Sequence, residues 1–252
     1  WARTCSDTAC RDAFLPAHTV VCSTIASITK DEPALSGDTD VLRLIASSSD
    51  SLDRLDPTGD LETLRLATAI LSRSVLERDD PARRKTPPRG VFHFWSFDDV
   101  KPLMTHTDRL KLDRHVWASI TSAGSHLHSR LPVSLRTVVD AAQVTSLLLQ
   151  IRFNSFPVVD VETQRRSGVG LFPAACYLNH ACVPNCIAFS DLSPDHHWRL
   201  IVRSIRSIPR GSPCTIAYID TYQPTPQRLT LLRDSFGFGC QCPACTLPGC
   251  PF

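Results

Sequence analysis

The sequence predicts an α+β fold in which a helical block precedes a small β-rich unit, with cysteine-rich segments near both ends. Three observations carry this. Apolar residues recur at helical spacing between positions 38 and 151; from Arg152 onward, short runs rich in β-branched and aromatic residues alternate with tight turns; and most of the 11 cysteines are grouped towards the two ends. A chain of 252 residues has room for one or two domains with a substantial core. A net charge of +2 with 21% charged residues gives no broad basic surface, so direct nucleic-acid binding is not expected. Mean hydropathy is close to zero and no long uninterrupted apolar run occurs, so no membrane span is expected.

The chain starts at Trp1-Ala-Arg-Thr-Cys5 without Met, holds a single Met at position 104, and carries no basic-then-apolar leader pattern. It reads as part of something longer. Clustered Cys with His and no leader points to zinc in a reducing compartment, cytoplasmic or nuclear, and not to a disulfide framework. Residues 1–30 place Cys5, Cys10, His18 and Cys22 in the spacing C-x4-C-x7-H-x3-C. His18 and Cys22 are four apart and share a face if the segment is helical, and four soft ligands suit tetrahedral zinc in number and type. The competing reading is free thiols beside a surface histidine.

Asp31 to Asp40 reads as a loop, and Thr39 or Asp40 can cap a helix carrying Val41, Leu42, Leu44 and Ile45. A second helix is predicted from Asp60 to Glu77 on the stripe Leu61, Leu64, Leu66, Ala67, Ile70, Leu71 and Val75. The proline-rich connector from Asp79 to Gly90 ends it, with Arg83-Arg84-Lys85 read as a solvated loop. The aromatic group Phe92 to Phe97 is expected to pack in a core. Helical patterning resumes over Leu103–Ser122 and Ser134–Ile151, whereas His106, His115, His126 and His128 lack partners at ligand spacing. Strand composition follows at Phe153–Asp160, His197–Arg203 and Thr215–Ile219, with a turn at Pro209-Arg-Gly211.

The chemistry concentrates in two places. Cys182 and the C-x-C-x2-C run Cys240, Cys242 and Cys245 can make one all-cysteine tetrahedral zinc site, structural because no position is left for water or substrate, with Cys250 nearby as an alternative ligand and buried free thiols as the competing reading. Such a site staples the C-terminal tail and makes its folding depend on metal. Cys176, Cys186 and Cys214 have no metal-like spacing and are read as small core residues. The second place is the stretch Gly168-Val-Gly-Leu-Phe-Pro through Asn179-His180-x-Cys182-x-Pro184-Asn185, followed by Tyr218-Ile-Asp220.

That second stretch resembles the N-H-x-C-x-P-N signature of SET domains, and Asn154-Ser-Phe156 is similar to the N-x-F segment that precedes it in the SET and MYND domain family. The match is close over roughly residues 150–247 and one of layout over 1–150. The resemblance implies a β-rich SET-type catalytic unit with a helical insert. It further implies a division into a partial MYND-like zinc finger (1–30), a helical insert (31–151), the C-terminal half of the core SET domain (152–235) and a post-SET zinc segment (236–252). It also implies an S-adenosyl-L-methionine-dependent protein-lysine N-methyltransferase whose partner is a protein presenting a lysine, with a peptide partner for the finger. Residue by residue, Asn179, His180 and Phe238 would hold the cofactor, Tyr218 would stand where methyl donor meets amine, and Phe156 and Phe236 would line the lysine channel. In the finger, Cys5 and Cys10 would serve one zinc, His18 and Cys22 another.

The residue types suit that chemistry. Methyl transfer from a sulfonium is an in-line displacement, so alignment supplies most of the advantage and no metal or covalent nucleophile is needed. An aromatic channel desolvates the lysine and lowers its pKa in the required direction. The sequence departs from the pattern in placing Ser212-Pro-Cys-Thr215 after Gly211 and Phe236 where relatives carry a second channel tyrosine. The N-terminal SET strands and glycine-rich loop would lie upstream of Trp1, so the 252-residue chain by itself is expected to hold the cofactor weakly and turn over negligibly. The alternative is a non-catalytic, zinc-stabilised protein-interaction module that keeps the scaffold without turnover.

Overall fold

The structure, a computed structural model, describes residues 58–80, 97–159, 166–192 and 198–247. The cluster Cys5, Cys10, His18 and Cys22, the helix expected after Asp40 and nearly all of the aromatic run from Phe92 lie outside the described residues. The chain divides into two compact units, and among the described residues the division falls between Asn154 and Ser155.

The first unit is helical. Helix α1 (Thr58–Asp79) buries Leu64, Ala67, Ile70, Leu71 and Val75 of the predicted stripe, while Leu66 is half-buried and the Leu61 side chain lies outside the described residues. It also buries Thr68 and Ser72, whose hydroxyls donate to the Leu64 and Ala69 carbonyls at 2.6 and 2.7 Å. Returning the hydroxyl to its own helix satisfies it without an outside partner. Two short helices follow, α2 (Phe97–Val100) and α3 (Thr107–Leu110), then α4 (Arg114–Arg130), α5 (Val133–Arg136) and α6 (Ala141–Asn154).

The predicted helical runs are broken where side chains cap. Asp113 accepts from the backbone N–H groups of His115 and Val116 at 3.0 and 3.1 Å and starts α4 afresh. Asp140 and Gln143 exchange two hydrogen bonds, at 2.8 and 2.9 Å, in a reciprocal box that restarts the chain as α6. Helix α4 packs on α6. Gly124 permits the approach, since a β-carbon there would stand 2.0 Å from Thr145 Oγ1. Of the four scattered histidines, His128 donates through Nε2 to the Val139 carbonyl (2.9 Å), and His106 meets Phe153 edge-on at 4.7 Å. A carbonyl can only accept, so His128 Nε2 carries the proton.

The predicted strand at Phe153 starts two residues late. Asn154 Nδ2 donates to the Gln150 and Met104 carbonyls, each at 2.8 Å, and holds Phe153 and Asn154 in the last turn of α6. Among the described residues of the second unit the strands form three pairs. These are β1 (Ser155–Val159) antiparallel to β2 (Arg166–Leu171), β3 (Asn179–His180) parallel to β6 (Thr215–Ile216), and β4 (Cys186–Leu192) antiparallel to β5 (Trp198–Ser204). Ser190 ties β4 to β1, its hydroxyl accepting from Val159 N at 2.8 Å and donating to Val159 O at 2.9 Å. Helices α7 (Thr225–Phe236) and α8 (Pro243–Thr246) close the described chain. Among the described residues no helix is long and apolar enough to cross a membrane.

Candidate functional site

The shortest strand pair positions the site. β3 and β6 align Asn179 with Thr215 and His180 with Ile216, and Ala181 N donates to Ile216 O at 3.1 Å. Asn185 locks the approach to β6: its Oδ1 accepts from Thr215 N at 2.8 Å and its Nδ2 donates to Pro213 O at 2.9 Å. Only Thr215 and Ile216 of the predicted strand pair in the sheet. The chain then leaves the strand and brings Tyr218 against His180.

Tyr218 N donates to His180 Nδ1 at 3.0 Å, so the neutral ring carries its proton on Nε2, which faces Cys182 Sγ at 3.3 Å. Burial, with the Arg228 charge adding to it, holds the His180 pKa down at about 4. The Tyr218 hydroxyl donates to Leu178 O at 2.5 Å. Burial, and then Cys176 nearby, raises its pKa, which keeps the phenol protonated. Around Tyr218 the ring centroids of Phe236, His180 and Phe238 stand at 5.1, 5.4 and 6.3 Å, and His180 and Phe238 are 6.1 Å apart. Phe156 makes its ring contact elsewhere, edge-on to Phe172 at 6.1 Å, and the Asn179 side chain is exposed.

Directly behind this aromatic group lies a sulfur cluster. The Sγ atoms of Cys182, Cys240, Cys242 and Cys245 all fall within 4.8 Å of one another, with Cys182 to Cys245 at 3.5 Å and Cys182 to Cys240 at 4.0 Å. Zinc–sulfur bonds of about 2.3 Å put the corners of a tetrahedron about 3.8 Å apart, so the donor set fits the ion. The tail reaches this place because α7 ends at Gly237, whose φ of 76° turns the chain left-handed and sends Phe238 and Cys240 back along the helix. Cys242 then caps α8, and Cys245 N donates to Cys242 O at 2.8 Å. Burial pushes the Cys182 and Cys240 thiols up. Burial acts the same way on Cys242, but bonds from the Cys182 backbone and the neighbouring thiols outweigh it and leave that thiol at about 7.

Of the cysteines read as core residues, Cys186 is buried, Cys176 is half-buried and Cys214 is exposed. Cys214 corrects the expectation. It lies in the loop between the Pro209–Ser212 turn and β6, where Asn185 holds the backbone at Pro213 and Thr215 and leaves the intervening side chain in solvent.

A family model of the SET domain matches residues 12–219. The chain belongs to the SET domain family. Its similarities run to the SMYD type: it is 30% identical over 185 residues to the N-lysine methyltransferase SMYD2 of Sus scrofa, covering 73% of this chain and 38% of that protein. Against the histone-lysine N-methyltransferase SMYD3 of Mus musculus it is 40% identical over 93 residues, 36% of this chain and 20% of that protein. The SMYD2-A of Danio rerio matches at 29% over 189 residues, 73% and 38% of the two chains. The matched region therefore spans well under half the length of these relatives.

Arg228, beside the site, carries no obvious mark in the sequence, and Asn185 shows its identity there but not its contacts. Arg228 is wholly buried on α7, four residues before the equally buried Leu232 and therefore on the same inward face. Asn185 was visible within the Pro-Asn turn, but its hold on Pro213 and Thr215 was not. Helix α7 itself announced its end through Gly237 and its inner face through Leu229, Leu232 and Phe236, signals a reading centred on strands passes over.

Proposed function

We propose that the chain is the catalytic part of an S-adenosylmethionine-dependent protein-lysine N-methyltransferase. The observation that carries the reading is the convergence of His180, Tyr218, Phe236 and Phe238, with centroids 5.1 to 6.3 Å apart, on one wall built by β3, β6 and the tail. The family and the SMYD relatives support the reaction class. The donor set suits a sulfonium cofactor, because aromatic faces attract a cation and His180, held neutral, does not repel one. The cofactor supplies an activated methyl group. The protein's part is alignment. With its proton given to Leu178 O, the Tyr218 oxygen keeps lone pairs to accept from an amine, and Phe236, which has no hydroxyl, lines the channel without competing for it. His180, Asn179 and Phe238 hold the cofactor in this reading, and Phe156 lines the channel with Phe236.

The same reading gives Cys182, Cys240, Cys242 and Cys245 a structural zinc that fastens the tail carrying Phe238. It also retains the partial finger at Cys5, Cys10, His18 and Cys22 as a zinc-bearing surface for a peptide. The test is calorimetric titration of S-adenosylmethionine and transfer of labelled methyl to a lysine-containing protein mixture. Both are measured side by side on the 252-residue chain and on the full translation product of its gene. Saturable binding weakened by Phe238→Ala, with label on lysine that Tyr218→Phe lowers, is expected of the full product, and weak binding with negligible transfer of the 252-residue chain by itself. Saturable binding with no label in either protein favours the non-catalytic interaction module. No binding in either overturns the proposal.

A further inference from the structure

The sulfur cluster has a cation built against it. Arg228 has 0% of its surface exposed, yet an arginine is always charged and is rarely buried without compensation. Its Nη1 donates to Gln223 O at 2.6 Å, and its Nη2 meets Thr225 Oγ1 at 3.0 Å, Ala244 O at 3.3 Å and Cys245 Sγ at 3.8 Å. The first two contacts fix the guanidinium to the start of α7; the last two aim it at α8 and the sulfurs. The His180 Nε2–H also points at the cluster, at Cys182 Sγ (3.3 Å). Among the described residues, Arg228 and His180 are side-chain N–H donors that reach the cluster from outside its own ligands, and of these Arg228 carries the fixed charge.

We propose that Arg228 is the charge partner of the cysteine cluster, a positioning residue that makes a buried four-thiolate divalent metal site tenable and fastens α8 to α7. The argument rests on the zinc reading above and on charge. Four thiolates around one divalent ion sum to two net negative charges, once the four thiol protons have left for solvent. Burying that excess is costly unless a cation stands beside it. Arg228 occupies the place where such a cation acts, with a planar fork that reaches two carbonyls, a hydroxyl and a sulfur together. Lysine keeps the charge and loses the fork.

The experiment uses the whole 252-residue chain, reduced and stripped of metal, and reads zinc affinity by competition with a chromophoric chelator. Removing a group that supports metal ligands costs on the order of 10–100-fold in affinity, and Arg228→Gln is expected to lose that much, with Arg228→Lys recovering part of it. Cobalt(II) loaded into the same proteins supplies a signal that packing damage alone does not produce. A cation beside the thiolates stabilises their electrons, so Arg228→Gln is expected to move the sulfur-to-cobalt charge-transfer band to lower energy while Arg228→Lys leaves it near the parent position. Parent-like affinity and an unshifted band in Arg228→Gln overturn the proposal and leave the zinc reading standing. A parent chain that binds no zinc overturns both. If Arg228→Gln fails to fold, the outcome in Arg228→Lys decides. A folded, zinc-binding Arg228→Lys with the parent's band supports the charge role, and one whose band moves as far as full loss of the cation requires overturns it.

Discussion

Leu71, Leu135, Leu147 and Ile151 fill the interior of the helical unit, whereas the β-rich unit fills the space behind its candidate site with Cys182, Cys240, Leu232 and Arg228. The first set is held by apolar burial, worth about 1.5–3 kcal/mol for each large aliphatic side chain and independent of any ligand. The second set places sulfur and a guanidinium where aliphatic side chains would otherwise sit. Sulfur packs as a small apolar group, but a buried charge does not. On the zinc reading proposed above, the β-rich unit has an interior whose stability changes with what its cysteines hold, and the helical unit does not. Tyr218, Phe236 and Phe238 of the candidate site pack on the cysteine-bearing set.

The largest expected effect removes one sulfur. Cys240→Ser is expected to lower bound zinc by about one ion per chain on the four-ligand count. It should also open the β-rich unit to hydrogen exchange while leaving α1, α4 and α6 protected. Structural zinc contributes on the order of 10 kcal/mol in small metal domains, so loss of the ion outweighs any single packing change. Chelation of the parent protein should reproduce the pattern. Equal zinc content in the two proteins, or equal exposure of the two units after chelation, would break the comparison.

Gly124→Ala probes the other unit. On helix propensity alone the change would gain about 1 kcal/mol. The added methyl, however, meets Thr145, whose Oγ1 lies 2.0 Å from its ideal position and is itself bound to Ala141 O at 2.8 Å. Crowding should win by about 1–3 kcal/mol, read as a lower midpoint in denaturant with unchanged zinc content. A gain in stability would show that α4 and α6 separate without cost.

What could be read from the sequence follows the range of the interaction involved. The sulfur cluster was legible because three of its members sit in a local C-x-C-x2-C spacing and the fourth in a short signature, and the structure brings all four within 4.8 Å. The α1 stripe was legible for the same reason, since periodicity is local. Helix breaks at Asp113 and Asp140 were missed because apolar spacing continues across them, while the capping hydrogen bonds that interrupt it depend on single side chains. Arg228 was missed because a lone arginine on a helix reads as solvated; only the docking of α8, which brings Ala244 and Cys245 to it, makes it interior. Cys214 was misjudged because burial of a thiol in a loop is decided by where the loop is tied. The finger-like cluster from Cys5 to Cys22 lies outside the described residues, so its reading still rests on spacing alone.

Asn185→Ala tests whether the β-rich unit also relies on polar pins. Asn185 Oδ1 and Nδ2 hold Thr215 N and Pro213 O, and through them the β3–β6 register that sets Tyr218 against His180. Two net hydrogen bonds are worth about 1–2 kcal/mol, so the unit should lose that much stability. Faster exchange at the β6 amides should accompany it. Unaltered exchange there would mean that the parallel pair stands without the pin.

The smallest effect concerns pH and belongs to the helical unit. His106 has φ 52°, a left-handed conformation, and packs edge-on against Phe153. Burial, with the Arg109 charge adding to it, lowers its pKa below the ordinary 6.5. A base whose folded pKa lies below its unfolded one takes up protons more readily when unfolded. Its contribution is therefore fully present above 6.5, declines as pH falls from there towards the folded value, and is constant below that. Asn is the conservative replacement because it tolerates the left-handed backbone and does not titrate. His106→Asn loses the ring contact at every pH, so that loss cancels in a difference, as do the other histidines common to both proteins. Melting measured at about pH 7.5 and about pH 5.5, on either side of the ordinary histidine range, should fall more in the parent than in the variant. A variant that falls as steeply as the parent would assign the acid sensitivity to another group.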